Sequence, residues 1–366
     1  MSDLVSILEF EEHAYKSLPR NVLDYYRSGA GKQESLKANR ASFNKFKLRP
    51  RCLRNVEKRD LSTIVLGHKV SMPVGIAPTA MQKMAHPQGE CANARAAQTL
   101  GTIFTLSTLS TSSIEEVARA APHAIKWYQL YIYKDRNVTR DLVMRAETAG
   151  YKALVLTVDA PIFGMRLADL KNKFSLPSHL TLANFQGLKA TGIQNSKQGS
   201  GLNNYVTGLF DATLNWEDVK WLKSITSLPI VLKGILTAED AILGVEAGAS
   251  AIQVSNHGAR QIDGTASSIE VLPEIVKAVG DKVEVYFDGG VTDGTDVLKA
   301  VSLGAKMVFV GRAALWGLAY NGQEGVEKIL NILKSDLSTA MALSGFSKIS
   351  ELEPNLVVHE SYYSKL

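Results

Sequence analysis

Residues 229–264, PIVLKGILTAEDAILGVEAGASAIQVSNHGARQIDG, contain one complete strand–helix–strand unit. Two short apolar runs, PIVLK and AIQVS, bracket an amphipathic stretch of helical period, which is the sequence signature of a parallel sheet. Working outward, the same alternation starts at residue 74 and gives the runs VGIAP, TIFTL, AIKWYQLY, ALVLTV, PIVLK, AIQVS, VEVYF and MVFVG. Helix candidates between them have identifiable starts, such as Thr111 and Ser112 before SIEEVARA and Asn215 before WEDVKWLKSI. Repeated strand-then-helix units of this number close into an α/β (β/α)8 TIM barrel, whose active site is built at the carboxyl ends of the strands. A doubly wound sheet is the alternative, but no GxGxxG opens a helix.

The whole chain, 1–366, reads as a single domain with three departures from the repeat. Residues 1–70 form an N-terminal helical cap and a hairpin, STIVLGHKVSMP, placed to close the bottom of the barrel; residues 71–345 are the barrel itself; residues 346–366 are a tail. Within the barrel, residues 170–214 follow the fourth strand and are rich in Lys, Ser, Asn, Gly and Gln. A connection of that length predicts a mobile lid loop. No internal repeat or low-complexity tract interrupts the pattern.

Composition narrows the function. The chain is 45% hydrophobic and 21% charged, which supports a sizeable core and excludes disorder as the main state. The net charge of +5 comes from 41 basic and 36 acidic residues dispersed along the chain. The densest basic run, KFKLRPR at 45–51, alternates as an edge strand with one wet face does, and no aromatic stacking motif accompanies it, so no nucleic-acid partner is expected. Cys52 and Cys91 fit neither a disulfide framework nor a metal knuckle, and no metal is expected. The acidic start MSDLVSILEFEEHA is too short in apolar run for a signal peptide, and no stretch approaches the ~18 apolar residues of a membrane span. Ser364, Lys365 and Leu366 spell the address read by the peroxisomal import receptor, so the predicted location is the peroxisome.

The strand ends carry the chemistry. Side chains alternate faces along a strand, so residues i and i+2 point the same way. The carboxyl ends then deliver Thr79, Ser107 with Leu109, Gln129 with Tyr131, Thr157 with Asp159, Lys233, Ser255 with His257, Asp288 and Arg312 to one rim. Any one of these alone reads as a satisfied structural residue; their convergence does not. Gly290 in DGG and Gly311 in VGR end the last two strands, where barrels commonly hold a phosphate on backbone N–H groups. Lys233 admits either a Schiff base with a carbonyl substrate or a fixed cation that stabilises developing negative charge. His257 and Asp159 look like a base and its orienting carboxylate, and Arg260 with Tyr131 can grip a substrate carboxylate.

The motifs DYYRSGA, YQLYIYKDR, LTVDAP, VLKGI, SNHGARQIDG, DGGV and VFVGR, in this order over nearly the whole chain, resemble the FMN-dependent 2-hydroxy-acid oxidases, the family of glycolate oxidase and the long-chain hydroxy acid oxidases. The resemblance implies FMN as cofactor, oxidation of a 2-hydroxy acid to a 2-oxo acid, and oxygen as the electron acceptor with hydrogen peroxide as product. It implies that His257 takes the substrate proton with support from Asp159. Tyr25, Tyr131, Arg166 and Arg260 hold the substrate, and Lys233 sits by the polar edge of the flavin. Thr79, Ser107, Gln129, Thr157 and Ser255 contact the ring and ribityl chain, with Asp288, Gly290, Gly311 and Arg312 at the ribityl and phosphate end. It also implies a homo-oligomer, often a tetramer.

Three departures from the family pattern stand out. Leu109 replaces a tryptophan over the substrate pocket, which predicts a roomier, more apolar site and longer or branched substrates. Thr292 and Asp293 occupy positions where a basic residue usually pairs with the FMN phosphate, which predicts weaker FMN binding. Ala313 replaces the proline after GR, with no change of chemistry expected. Two alternatives remain open at this point: a related dehydrogenase that passes electrons to another acceptor, and a Schiff-base sugar-phosphate aldolase on the same barrel.

Overall fold

Each apolar run needs a dry environment on both faces, and parallel strands provide it by closing on themselves with helices outside. The computed structural model describes residues 4–185 and 208–365. In it β4 (Val74–Ile76), β5 (Ile103–Leu106), β6 (Ile125–Leu130), β7 (Ala153–Thr157), β8 (Ile230–Ile235), β9 (Ala251–Val254), β10 (Glu284–Asp288) and β11 (Met307–Val310) form a closed barrel. β11 pairs with β4 to complete the ring. All eight runs read from the sequence are its staves.

Alternation sorts the side chains into two layers. Outward residues such as Leu154, Leu156, Leu232, Ile252, Phe287 and Val308 bury against the helices. Inward residues Ile103, Trp127, Val155, Val231, Ala251, Tyr286 and Met307 form the packed lower layer, with Ala77 and Phe309 at its upper boundary against the cavity. Two or four positions further along the same strands the inward row turns polar, at Thr79, Ser107, Gln129, Thr157, Lys233, Ser255 and Asp288. The lower barrel is therefore a packed core and the upper barrel a site.

The antiparallel hairpin of β2 (Thr63–Val65) and β3 (His68–Val70) closes the lower end. Val65 and Val70 join the inward apolar cluster, and Leu66 N donates to the Glu284 carboxylate at 3.2 Å. Helices Ile7–Ser17, Arg20–Arg27 and Glu34–Ala41 precede this hairpin. β1 (Phe46–Leu48) pairs antiparallel with β12 (Val357–His359), so the two ends of the chain meet beside the barrel. The basic run at 45–51 thus begins in an edge pair, as its alternation predicts. Among the described residues no helix is long and apolar enough to cross a membrane.

Two expectations need correction. The helix after the second strand is Ile114–Ala120, and Ser113, not Thr111 or Ser112, caps it through a reciprocal capping box with Glu116. Thr111 and Ser112 instead donate their hydroxyls to the buried Glu90 carboxylate. The mobile lid predicted for 170–214 does not begin at 170, because Leu167–Asn172 is helical and Phe174 stacks on Tyr25 at 4.3 Å. Asn184 is fully buried and its side chain accepts from Ile114 N at 2.9 Å, so the chain is docked on the barrel up to Phe185. Residues 186–207 of that segment, and Leu366 of the terminal tripeptide, lie outside the described residues.

Trp127 is fully buried among the inward residues, so Trp127→Ala should leave a cavity in the lower barrel. The expected cost is about 3–5 kcal/mol, read as a lower denaturant midpoint at unchanged cofactor content.

Candidate active site

The turn after β9 is built from left-handed residues. His257 has φ 60°, Gly258 φ 63° and Ala259 φ 60°. This backbone is uncommon for non-glycine residues and persists only where surrounding bonds determine it. Here Ser255 Oγ accepts from His257 N at 3.1 Å and Asn256 Oδ1 from Ala259 N at 3.0 Å. The amides of Asn256 and Asn39 exchange hydrogen bonds at 2.7 and 2.9 Å, fastening helix Glu34–Ala41 to the turn.

His257 Nδ1 lies 2.9 Å from Asp159 Oδ1. Burial works against the Asp159 charge, but His257 and Lys233 hold its pKa below the ordinary carboxylate value. An ionised carboxylate only accepts, so Nδ1 carries the proton and Nε2 keeps a lone pair. Desolvation pushes the imidazole pKa below its ordinary 6.5; Asp159 opposes this, while Lys233 and Arg260 add to it. The ring is therefore a neutral acceptor near pH 7.

Positive charge surrounds it. Arg260 Nη1 donates to Tyr25 O at 2.6 Å and Ser28 O at 3.0 Å, and its guanidinium lies over the Tyr25 ring at 4.9 Å. Burial, and then repulsion from Arg166, lowers its pKa to about 10. Arg166 is buried and pairs with Asp169 at 3.2 Å. Arg312 donates to Tyr26 O, Gly258 O and Ser28 O at 2.9, 3.0 and 3.1 Å. Burial first, then Arg260 and Arg40, brings it to about 9. A guanidinium has five N–H donors, so Arg312 still has capacity for an anion.

Lys233 Nζ donates to Ser255 Oγ at 2.9 Å and lies 3.5 Å from Asp288 Oδ2. Ser255 Oγ in turn donates to Asp288 Oδ1 at 2.6 Å, and Gln253 holds the other carboxylate oxygen at 2.7 Å. This ion pair and hydrogen bond suit a fixed cation better than a Schiff-base amine. Gln129 Nε2 donates to Thr157 Oγ1 at 3.1 Å, and Thr79 Oγ1 accepts from Gln82 at 2.8 Å.

These groups line one cavity of about 390 Å³. Of the residues singled out from the sequence for the site, Asp159, Ser255, Thr292 and Asp293 do not line it. Asp159 stands behind His257. Ser255 is fully buried, accepts from Lys233 Nζ and donates to Asp288, and so links two residues that do line the cavity. Sequence reasoning missed Asn39, and it missed Gln261, whose Nε2 donates to Asp159 O at 2.8 Å and Ile162 O at 2.9 Å. A lone polar residue in a helix or loop gives no signal of such a bond.

The cavity suits a flavin mononucleotide. Its volume is in the usual range for cofactor sites, and Lys233, Arg260, Arg166 and Arg312 all line it. Gly311 is a cradle: a Cβ there meets nothing nearer than Thr79 Cγ2 at 3.5 Å and would intrude on the cavity. Gly290 is glycine for another reason, since its φ is 80° and a Cβ would lie 2.0 Å from Asn39 O. Asp293 has a structural task of its own. Its carboxylate caps helix Gly294–Ser302, accepting from Thr295 N and Asp296 N at 2.8 and 2.9 Å.

Comparison with known proteins agrees with this geometry. The FMN-dependent dehydrogenase family matches residues 14–359. The human protein named 2-hydroxyacid oxidase 1 is 54% identical over 356 residues, covering 97% of this chain and 96% of its own. Glycolate oxidase 1 of Oryza sativa subsp. indica is 52% identical, covering 96% and 95%. A crystal structure of mandelate oxidase with (S)-4-hydroxymandelic acid superposes with a TM-score of 0.91 at 41% identity, covering 96% of this chain and 98% of that one. The chain belongs to the FMN-dependent dehydrogenase family, and its cofactor is FMN. The Schiff-base aldolase alternative falls with that assignment.

Thr292 brings no charge to the FMN phosphate; its N and Oγ1 both donate to Asp296, at 2.9 and 3.0 Å. One restored charge-assisted hydrogen bond is worth about 1.5–3 kcal/mol. Thr292→Arg should therefore tighten FMN by roughly ten- to a hundredfold, measured by the recovery of free-flavin fluorescence on dilution. Equal affinity in the two proteins would show that the lost basic residue does not matter here.

Proposed function

We propose that the chain oxidises (S)-2-hydroxy acids to 2-oxo acids and delivers the electrons to oxygen, giving hydrogen peroxide. The observation that supports this best is the His257 imidazole in the same cavity as the Arg166 and Arg260 guanidiniums, with a carboxylate 2.9 Å behind the imidazole. Bound FMN supplies the two-electron acceptor that protein side chains lack. Thr79, Ser107, Gln129, Thr157 and Lys233 would hold its ring and upper ribityl chain, and Asp288, Gly290, Gly311 and Arg312 its ribityl and phosphate end.

The side chains divide the remaining work. Arg260 and Arg166 hold the substrate carboxylate, which offsets the repulsion between them. Burial raises the Tyr131 pKa, so its hydroxyl stays protonated and donates to the substrate. Tyr25 completes that wall, with its ring fixed between Phe174 and Arg260. His257 Nε2 takes the substrate proton, and Asp159 stabilises the imidazolium that forms. His257→Gln should lower kcat by about 10²- to 10⁴-fold with FMN retained.

The pH dependence has a definite sign. The base is competent when neutral and its pKa is depressed, so kcat/KM should hold above pH 6.5 and fall only as pH drops below it. Asp159→Asn removes the one attraction that raises that pKa. The acid limb should then move lower still, with kcat reduced. An acid limb above pH 6.5 in the parent enzyme would contradict the assignment.

Leu109 and Phe163 both line the cavity, and a leucine there in place of a bulkier ring supports longer or branched 2-hydroxy acids. A peroxide assay across glycolate, lactate and homologues of increasing length tests this, and an optimum at glycolate would remove the role given to Leu109. The assay also separates an oxidase from a dehydrogenase, since only the former consumes oxygen without an added acceptor. The terminal Ser364, Lys365 and Leu366 support import into the peroxisome, a compartment that suits a peroxide producer. A homo-oligomer, tetrameric by family resemblance, completes the proposal.

A further inference from the structure

Strand β8 breaks its own alternation. Its register with β9 runs Val231↔Ala251, Leu232↔Ile252 and Lys233↔Gln253, then jumps to Ile235↔Val254, so Gly234 is an extra, bulged residue. In an unbroken strand Ile235 would share the inward face of Val231 and Lys233. It packs instead in the outer apolar layer at 2% exposure. The bulge ends the inward row at Lys233 and leaves a gap above it.

We propose that Gly234 is a positioning residue for the catalytic base: the side chain it lacks is the space in which the Asp159 carboxylate sits beside His257. This rests on the reading of His257 as the base. A Cβ on Gly234 would lie 2.6 Å from both Cβ and Cγ of Asp159 and 2.9 Å from its Oδ2. No real Cβ comes so close. Nor can Asp159 withdraw freely, because Gln261 Nε2 holds its carbonyl at 2.8 Å and Val158 N is bound to Lys233 O at 2.9 Å. The carboxylate must turn off the imidazole if a methyl group is placed at 234.

The charged groups that face His257 are Asp159 from the segment after β7, Lys233 from β8 and Arg260 from its own turn. Asp159 favours the imidazolium and the two cations oppose it. Displacing the carboxylate leaves only the opposition. A purely structural role for the glycine would lower stability without moving that balance.

The test uses the FMN-loaded enzyme and its Gly234→Ala, Asp159→Asn and doubly substituted forms, with flavin content, thermal midpoint and the pH profile of kcat/KM measured for each. In the parent background Gly234→Ala should retain FMN, lower kcat by about tenfold or more, and shift the acid limb to lower pH as Asp159→Asn does. In the Asp159→Asn background it should cost less than about twofold further, because the two changes act on one interaction. Fully additive losses, or an unmoved acid limb, would overturn the proposal. If Gly234→Ala does not fold, adding Asp159→Gly removes the opposing atoms and should restore a folded flavoprotein. No restoration would show that backbone conformation alone demands the glycine. Parent-like kinetics in both His257→Gln and Asp159→Asn would instead refute the base assignment, whatever Gly234 does.

Discussion

The contact between His257 Nδ1 and Asp159 Oδ1 joins residues 98 positions apart, on loops that follow strands which are not neighbours. β8 runs between them. The two groups meet because a parallel barrel ends all its strands on one rim, and because β8 yields space at the glycine between its lysine and isoleucine. Most of what makes the cavity reactive follows from this contact. It fixes the tautomer, leaves Nε2 as the acceptor and holds a carboxylate where, in the proposed reaction, an imidazolium would form.

The surrounding cations make that arrangement costly without an anion. Arg166 lowers the affinity of Arg260 for its proton, and Arg260 does the same to Arg312. Carbonyls of the N-terminal segment, at Tyr25, Tyr26 and Ser28, accept from two of the three guanidiniums. The helices before the barrel are thus part of the site as much as a cover over it. In the proposed function a substrate carboxylate and the FMN phosphate would complete the balance of charge. Stability is supplied at the other end, where the inward residues are apolar and the hairpin plugs the barrel.

The barrel was legible because its signal is repetitive: apolar runs at strand length, separated by helical periodicity, survive errors at any single element. The rim was legible for a related reason, since period-two counting from each run picks out Thr79, Gln129, Thr157 and Asp288 without further knowledge. Counting failed where the backbone departs from regularity. The bulge at Gly234 is invisible to it, and so are the hydrogen bonds that join Ser255 to Lys233 and Asp288. The docking of residues 170–185 was hidden by polar composition, because Asn184 is buried by hydrogen bonds rather than by apolar contact. Long-range amide pairs such as Asn39 with Asn256 have no local sequence signature at all.

The central claim is geometric: one anion-binding wall presents a substrate to one imidazole nitrogen. A crystal structure of the FMN-loaded enzyme with a 2-oxo acid bound tests it most directly. The account predicts the acid's carboxylate on Arg260 and Arg166 and its C2 oxygen within hydrogen-bond reach of His257 Nε2. A carboxylate held elsewhere in the cavity, with His257 facing the acid's side chain, would contradict it.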